Sequence, residues 1–330
     1  MQQVRKQHFV NQAYLRNFSD ASHKNKALWV YPKKYDYFEA ADKVVPDEKT
    51  SKQLCWQLDF YEGGDLPVNV LENILQKFET EFGLLMKRIN LGNKDPLSAK
   101  EKWVLSIFVS ISEARTQAQK ANIEGFEQRV LQMVSSMEKA HGIAPKQSKE
   151  IKDSIANNDM FVINVLTAIE LNRYQFADWQ ILESSSEEWR FLTSDNPVCH
   201  YDFHSKNSFY GGSPISKTLE ITLPLSYKYA AVGNYLNITG FKKVFPDEIH
   251  EVNWRTVGSA YSEFYSSEKL ASKQLENVFK RHRICLAICD YLHQQQTKFD
   301  KQVKKVERKL KRQAFAQKIL NFFRKISRSS

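Results

Sequence analysis

No stretch of the sequence approaches the roughly eighteen consecutive apolar residues that a membrane-spanning helix needs. The opening residues, MQQVRKQHFV, lack the apolar core of a secretory leader. Four cysteines in 330 residues are too few for a disulfide framework. Together these absences set the expectation of a cytoplasmic protein kept in a reducing environment. Also missing are a Gly-rich phosphate loop, a G-x-S-x-G elbow, an H-E-x-x-H pair and paired C-x-x-C motifs. The familiar nucleotide hydrolases and zinc proteases are therefore set aside, whereas metal-dependent nucleases, whose acids are scattered along the chain, are not. There is no internal repeat, and no Gly/Ser/Pro-rich linker forces a domain cut.

What is present is a globular composition, 42% hydrophobic and 12% aromatic, enough for a real core. The net charge of +10 is unevenly placed. Residues 298–330 hold twelve Lys or Arg and two acids, and residues 1–297 hold 36 of each sign. A neutral body with a basic extension points to an attachment rather than to a uniformly basic nucleic-acid binder.

Along the chain, Phe9, Ala13, Tyr14 and Phe18 suggest one short helical face, and ALWVY at 27–31 reads as a strand stopped by Pro32. From Pro67 to Ile89, Leu71, Ile74, Leu75, Phe78, Phe82, Leu85 and Ile89 recur at helical spacing. Ser98 and Glu101 fit a capping box that opens a second helix, running to about Asn122. Glu124–Lys139 and Ser148–Asn172 also read as helical. Trp179–Glu183 and Trp189–Thr193, separated by ESSSE, suggest a hairpin. Strands are expected at Leu219–Leu223 and Tyr229–Val232, then a helix through Trp254, Val257, Tyr261 and Phe264. Helices, a few strands, then helices predict an α+β fold, mainly helical, with a small antiparallel sheet and a long basic C-terminal helix.

Five of these segments, in order, resemble a bacterial family, domain of unknown function 4238. They are QHFVNQAYLRNF, VLENILQKFETEF, ISEARTQAQ, WQILESSSEEWRFLTSDNPV and LPLSYKYAAV, spanning roughly residues 7–265. Asn11 stands where the family's opening has proline, and Gln117 where proline often follows Arg-Thr. The resemblance implies a shared fold unit and transfers no reaction. The chain then divides into a family-like core, 1–270, and a helical extension, 271–330.

The stretch FLTSDNPVCH poses the sharpest functional question. Asn-Pro opens turns, and Asp or Asn side chains cap the backbone two residues on. A loop at a strand end is equally where a rigid scaffold carries a site. On the site reading Asp195 and Asn196 are catalytic candidates, together with His8 as a proton carrier. Arg16 and Arg115 are candidates to grip phosphate, or to pair with Glu72 or Glu113. Eight residues separate His8 from Arg16, about two turns if they share one helix. Glu72, with Glu79 one heptad on, is the candidate to hold Mg²⁺ or Mn²⁺ with Asp195. His282, Cys285, Cys289 and His293 share a helical face, but at ~1.5 Å rise the outer two lie about 16 Å apart, too far for one zinc ion.

In the tail, Val303, Val306 and Leu310 form one apolar strip, and Phe315, Ile319, Phe322, Phe323 and Ile326 form another, among cationic side chains. A basic amphipathic helix of this kind suits nucleic-acid phosphates, an anionic membrane surface, or docking on the body or a second copy. The functional expectation is a protein that engages nucleic acid, with a phosphodiesterase-type pocket. The alternative is a non-catalytic binding or assembly protein whose polar groups are structural.

Overall fold

Proline and capping residues set several of the element boundaries in the computed structural model, which describes residues 4–19, 26–33, 45–61, 66–141, 145–156, 159–202, 218–276 and 278. A short strand β1 (Lys6–His8) precedes helix α1 (Gln12–Arg16), β2 (Ala27–Pro32) and β3 (Asp47–Thr50), then a 3-10 turn (Ser51–Gln53) and β4 (Trp56–Leu58). Five helices follow, α2 (Val70–Asn90), α3 (Ala99–Ala114), α4 (Gln117–His141), α5 (Pro145–Ala156) and α6 (Asp159–Leu171). The remainder is β5 (Asp178–Ser184), β6 (Thr193–Ser194), β7 (Cys199–Asp202), β8 (Leu219–Pro224), β9 (Tyr229–Asn234), β10 (Gly240–Val244), α7 (Pro246–Ser259) and β11 (Glu263–Ser266). The described residues fall into two compact units, one of residues 4–122 and 159–278, the other of residues 123–156. In the second, Glu138 on α4 accepts hydrogen bonds from Ser148 and Lys152 of α5. The basic tail, residues 298–330, and the His282–His293 face lie outside the described residues.

The α2 stripe is buried as its periodicity requires, through Leu71, Leu75, Phe82, Leu85, Met86 and Ile89. It packs on α3, where Phe82 stacks on Phe108. Every residue of α3 from Val104 to Ser112 is buried, so it serves as the central helix of its unit. It starts at the expected box, with Glu101 N–H donating to Ser98 Oγ at 3.3 Å and Ser98 N–H to Glu101 Oε2 at 2.8 Å. Each fully buried Leu, Ile or Phe in this layer contributes ~1.5–3 kcal/mol of transfer free energy.

Among the described residues there are three sheets: β1-β4, β10-β5-β9-β8-β7 and β3-β2-β11-β6. The α+β class therefore holds, but the strands exceed one small antiparallel sheet, and β10 runs parallel to β5. The expected hairpin after ESSSE does not form, because both edges of β5 are taken by β9 and β10. The chain instead peels away: Ser184 Oγ bonds the carbonyls of Ser186 and Trp189, and Asn253 Oδ1 captures the Leu192 N–H. The helix expected through Phe264 ends at Ser259, and Phe264 sits in β11 beside Tyr31 of β2. The apolar spacing of Trp254, Val257, Tyr261 and Phe264 fitted a helix, yet only the first half of it is one.

Helix α1 bridges the two larger sheets. The buried Tyr14 hydroxyl donates to the Pro224 carbonyl on β8 at 2.8 Å and pairs with Thr193 Oγ1 on β6 at 2.7 Å. Its N-cap is Asn11, whose Oδ1 accepts from Tyr14 N–H at 2.5 Å and so starts the helix.

The five-stranded sheet is tied to the helices by Trp179, 0% exposed, whose indole N–H donates to Ser106 Oγ on α3 at 2.8 Å. Trp179 pairs with Gly233 across β5 and β9, and its ring lies over that glycine. A Cβ at position 233 would fall 2.9 Å from two ring carbons. Gly233→Ala is therefore expected to lower stability by about 1–3 kcal/mol, read as a lower urea midpoint with an unchanged slope.

Candidate functional site

Four separated segments converge on one buried cation. Arg115 follows the last turn of α3 and is 1% exposed. Its Nη1 donates to Glu79 Oε1 on α2 at 2.6 Å, and the Tyr61 hydroxyl lies against the same guanidinium. Glu72, one heptad before Glu79, lies on the same face of α2, half-buried. Burial lifts its carboxyl above the usual range, Arg115 draws it down and Glu79 adds to the lift. Burial alone would lower the Arg115 pKa, but Glu79, Tyr61 and Glu72 together raise it, so the guanidinium keeps its charge.

Tyr61 and β1 close the other side. Gln7 on β1 accepts the Tyr61 N–H at 2.7 Å, and the Tyr61 hydroxyl donates to the His8 carbonyl at 2.9 Å. Tyr61 stacks on Phe161 of α6, and Lys120 donates to the Phe60 carbonyl at 3.0 Å. His8 therefore sits on a strand and Arg16 on α1, so no shared helix relates them. Burial first, then Lys6 and Arg115, push His8 down to about 4, with Glu79 opposing and Arg16 adding a smaller push. The imidazole is neutral at pH 7, with Nε2 buried and without a hydrogen bond. A small pocket adjoins the cluster, walled by Gln7, Tyr61, Pro67, Asn69, Leu71 and Glu72 among others.

Asp195 and Asn196 serve a different place. The Asp195 carboxylate, 3% exposed, accepts the backbone N–H groups of Tyr261, Ser262 and Glu263 at 2.7, 2.6 and 3.1 Å. Asn196 Nδ2 donates to the Ser259 carbonyl at 2.8 Å, and Ser259 Oγ donates back to the Asn196 carbonyl at 3.0 Å. The SDNP corner thus clamps the connection from α7 to β11, which is turn chemistry acting at a distance in sequence. Burial pushes the Asp195 carboxyl up to about 6, with the three amides opposing it. Its oxygens are taken up by these amides, which leaves the pairing of Asp195 with Glu72 around a cation without geometric support. Among the described residues no group of three or more His, Cys, Asp or Glu is arranged to hold a metal ion.

Glu113 belongs to neither place. It accepts the Tyr174 hydroxyl at 2.6 Å, and that hydroxyl also meets His200 Nε2 at 2.8 Å. Arg173 lies 3.4 Å from the same carboxylate. Of the alternatives for Arg115, its ion pair is with Glu79, not with Glu72 or Glu113. Sequence reasoning missed Tyr61, which lies beyond an irregular stretch with no periodicity to mark it, and the Tyr174–His200 pair, whose members come from distant elements.

Replacing Asp195 with Ala would leave the amides of Tyr261, Ser262 and Glu263 without their acceptor, and a loss of roughly 1–3 kcal/mol is expected, seen as a lower melting temperature. The pH response isolates His8. The unfolded imidazole titrates near 6.5 and the folded one at about 4, so the unfolded chain binds the extra proton between these values. The stability this group confers is present above about pH 6.5 and is lost as pH falls towards 4. Asp195, with its folded value above the unfolded one, works in the opposite sense over the overlapping range. The melting temperature of His8→Gln should therefore fall less between pH 6.5 and 4 than that of the unsubstituted protein, and equal falls would show that His8 is not held neutral.

Comparison with curated proteins and with solved structures gives no match. Among the described residues no helix is long and apolar enough to cross a membrane. A family match covers residues 6–270, ending just past β11 and spanning every element that builds the His8–Arg115 cluster and the Asp195 clamp. The chain belongs to the family described as Protein of unknown function (DUF4238).

Proposed function

We propose that the chain is a nucleic-acid-engaging protein of the bacterial cytoplasm whose His8–Arg115 cluster acts on phosphodiesters. One observation carries the reading: a charged guanidinium buried with Glu79 and Tyr61 helps to hold neutral an imidazole whose Nε2 is buried without a hydrogen bond. In this reading Arg115 and Arg16 hold phosphate oxygens, and His8 Nε2 accepts the proton of an attacking water. The P–O bond to the leaving hydroxyl breaks, and that oxygen is reprotonated from solvent. Mg²⁺ or Mn²⁺, if it takes part, would be drawn to Glu72 at the pocket wall. The basic tail, residues 298–330, adds a sequence-independent grip on the phosphate backbone, with a membrane surface or a second copy as the other surfaces it suits.

A second reading, a non-catalytic binding or assembly protein, draws on two observations. Asp195 and Asn196 are committed to the backbone, and an imidazole held near 4 is a weak base. Labelled RNA and DNA incubated with the full chain, with and without Mg²⁺ or Mn²⁺, separate the two. On the first reading cleavage occurs and falls by ~10²-fold or more in His8→Gln. Deleting residues 298–330 should leave a cooperatively melting body whose polymer affinity is lower and less salt-dependent. Binding without cleavage under every metal condition would leave only the second reading, and unchanged affinity after the deletion would remove the tail from either.

A further inference from the structure

We propose that the outer face of the β1–β4 ribbon is a stacking platform for single-stranded nucleic acid, with the Trp56 indole as the surface that receives a base. The inference rests on the nucleic-acid reading above and deepens it, naming the strand form engaged and the side chain that holds it. Trp56 is paired with His8 across the ladder, and Leu58 with Lys6. Residues directly opposite in an antiparallel pair point to one side, so Lys6, His8, Trp56 and Leu58 share a face. Gln7 lies on the other face and is buried, its amide oxygen accepting the Tyr61 N–H. The face opposite Gln7 is thus the outward one, and Trp56 and Leu58 are 38% and 53% exposed on it.

A tryptophan is ordinarily well buried, so one left this open to water calls for a reason. Its setting is cationic. Lys6 Nζ stands 4.2 Å from the indole centroid and donates to the Lys52 carbonyl at 2.7 Å. Lys6 on β1, Lys52 in the 3-10 turn and Arg16 on α1, which packs on that turn, are all exposed. His8 feels the resulting field, with Lys6, Arg115 and Arg16 acting on it as cations against Glu79 alone. An aromatic ring rimmed by positive charge matches a base joined to phosphate, and is a poor match for an apolar protein face.

The ring already holds a cation, and relative strengths decide whether a base can replace it. An exposed cation–π contact is weaker than base stacking on the same ring. An arriving base therefore displaces Lys6, whose ammonium is released to the adjoining phosphate. Stacking needs the flat face of an unpaired base, and a duplex hides those faces, so the platform selects single strands. Because His8 is directly across the ladder, a base held on Trp56 brings its own phosphate to the side of the ribbon that carries the imidazole.

The test compares a single-stranded oligodeoxynucleotide with an abasic strand of equal length and charge, each bound to the full chain at one salt concentration. The intact strand should bind about tenfold tighter. Trp56 emission, taken as the difference between the unsubstituted protein and Trp56→Phe, should be quenched by the intact strand and not by its abasic twin or its duplex. Trp56→Ala should lose the preference for the intact strand with its salt dependence unchanged, and Trp56→Phe should keep most of it. Should Trp56→Ala fail to fold, the two strands and the quenching still decide. Equal binding of the two strands, an unquenched Trp56 or an undiminished preference in Trp56→Ala overturns the platform and leaves phosphate binding by the tail standing. Failure of the full chain to bind any strand overturns the nucleic-acid reading, and the platform with it.

Discussion

Arg115 is a full positive charge placed where no water reaches it, and much of its unit is arranged around that fact. A buried guanidinium is tolerated only when a carboxylate meets it at close range, and Glu79 does so at 2.6 Å. That requirement fixes how α2 lies against α3, because Glu79 must face inward on the same helix that buries Leu75 and Phe82. It also explains the polar company around it. Tyr61 supplies a hydroxyl beside the charge, and that hydroxyl in turn holds the carbonyl of His8, so a strand near the start of the chain is tied to the end of the central helix. The ion pair is a device for position more than for stability, since a buried pair offsets little beyond its own desolvation.

The helical third of the fold was legible because its signals are local. The α2 stripe and the Ser98–Glu101 box are periodicity and capping, and both appear where the sequence places them. The strands were legible where a breaker sits beside them, as Pro32 and Pro224 do, and where the run itself is β-prone, as at Trp179–Glu183 in β5. The hairpin at ESSSE misled because local turn chemistry says nothing about which edges of β5 are vacant, and those are filled by β9 and β10, which arrive some fifty residues later. Phe264 misled for a similar reason: its spacing continues the α7 pattern, but the partner that makes it a strand is β2, more than two hundred residues earlier.

The candidate residues divide along the same line. His8, Arg16, Glu72 and Arg115 were chosen for chemistry alone; they come from a strand, two helices and a helix end, and what links them is charge, Arg115 acting on both His8 and Glu72 and Arg16 on His8. Asp195 and Asn196 were chosen from a turn motif, and they behave as one. The sequence shows that the SDNP corner caps something, yet the amides it caps belong to residues 261–263, beyond any window in which a capping pattern can be read. Tyr61 carried no signal, since a tyrosine becomes a site residue only through what folds against it.

Strand β11 is the last strand of the family unit, and it is hydrogen-bonded on both sides, to β2 and to β6, in antiparallel register. The chain just beyond it is packed into the same unit, with Leu275 and Val278 buried against Tyr31 and Leu192, and whatever follows is joined through that contact to an interior strand. A pull on the extension along the strand direction loads two rows of hydrogen bonds in shear, so they must yield together instead of opening one at a time. The extension is thereby moored through an interior strand of its sheet, and a load taken up outside the domain is delivered to the Asp195 clamp only after it has passed through that double ladder.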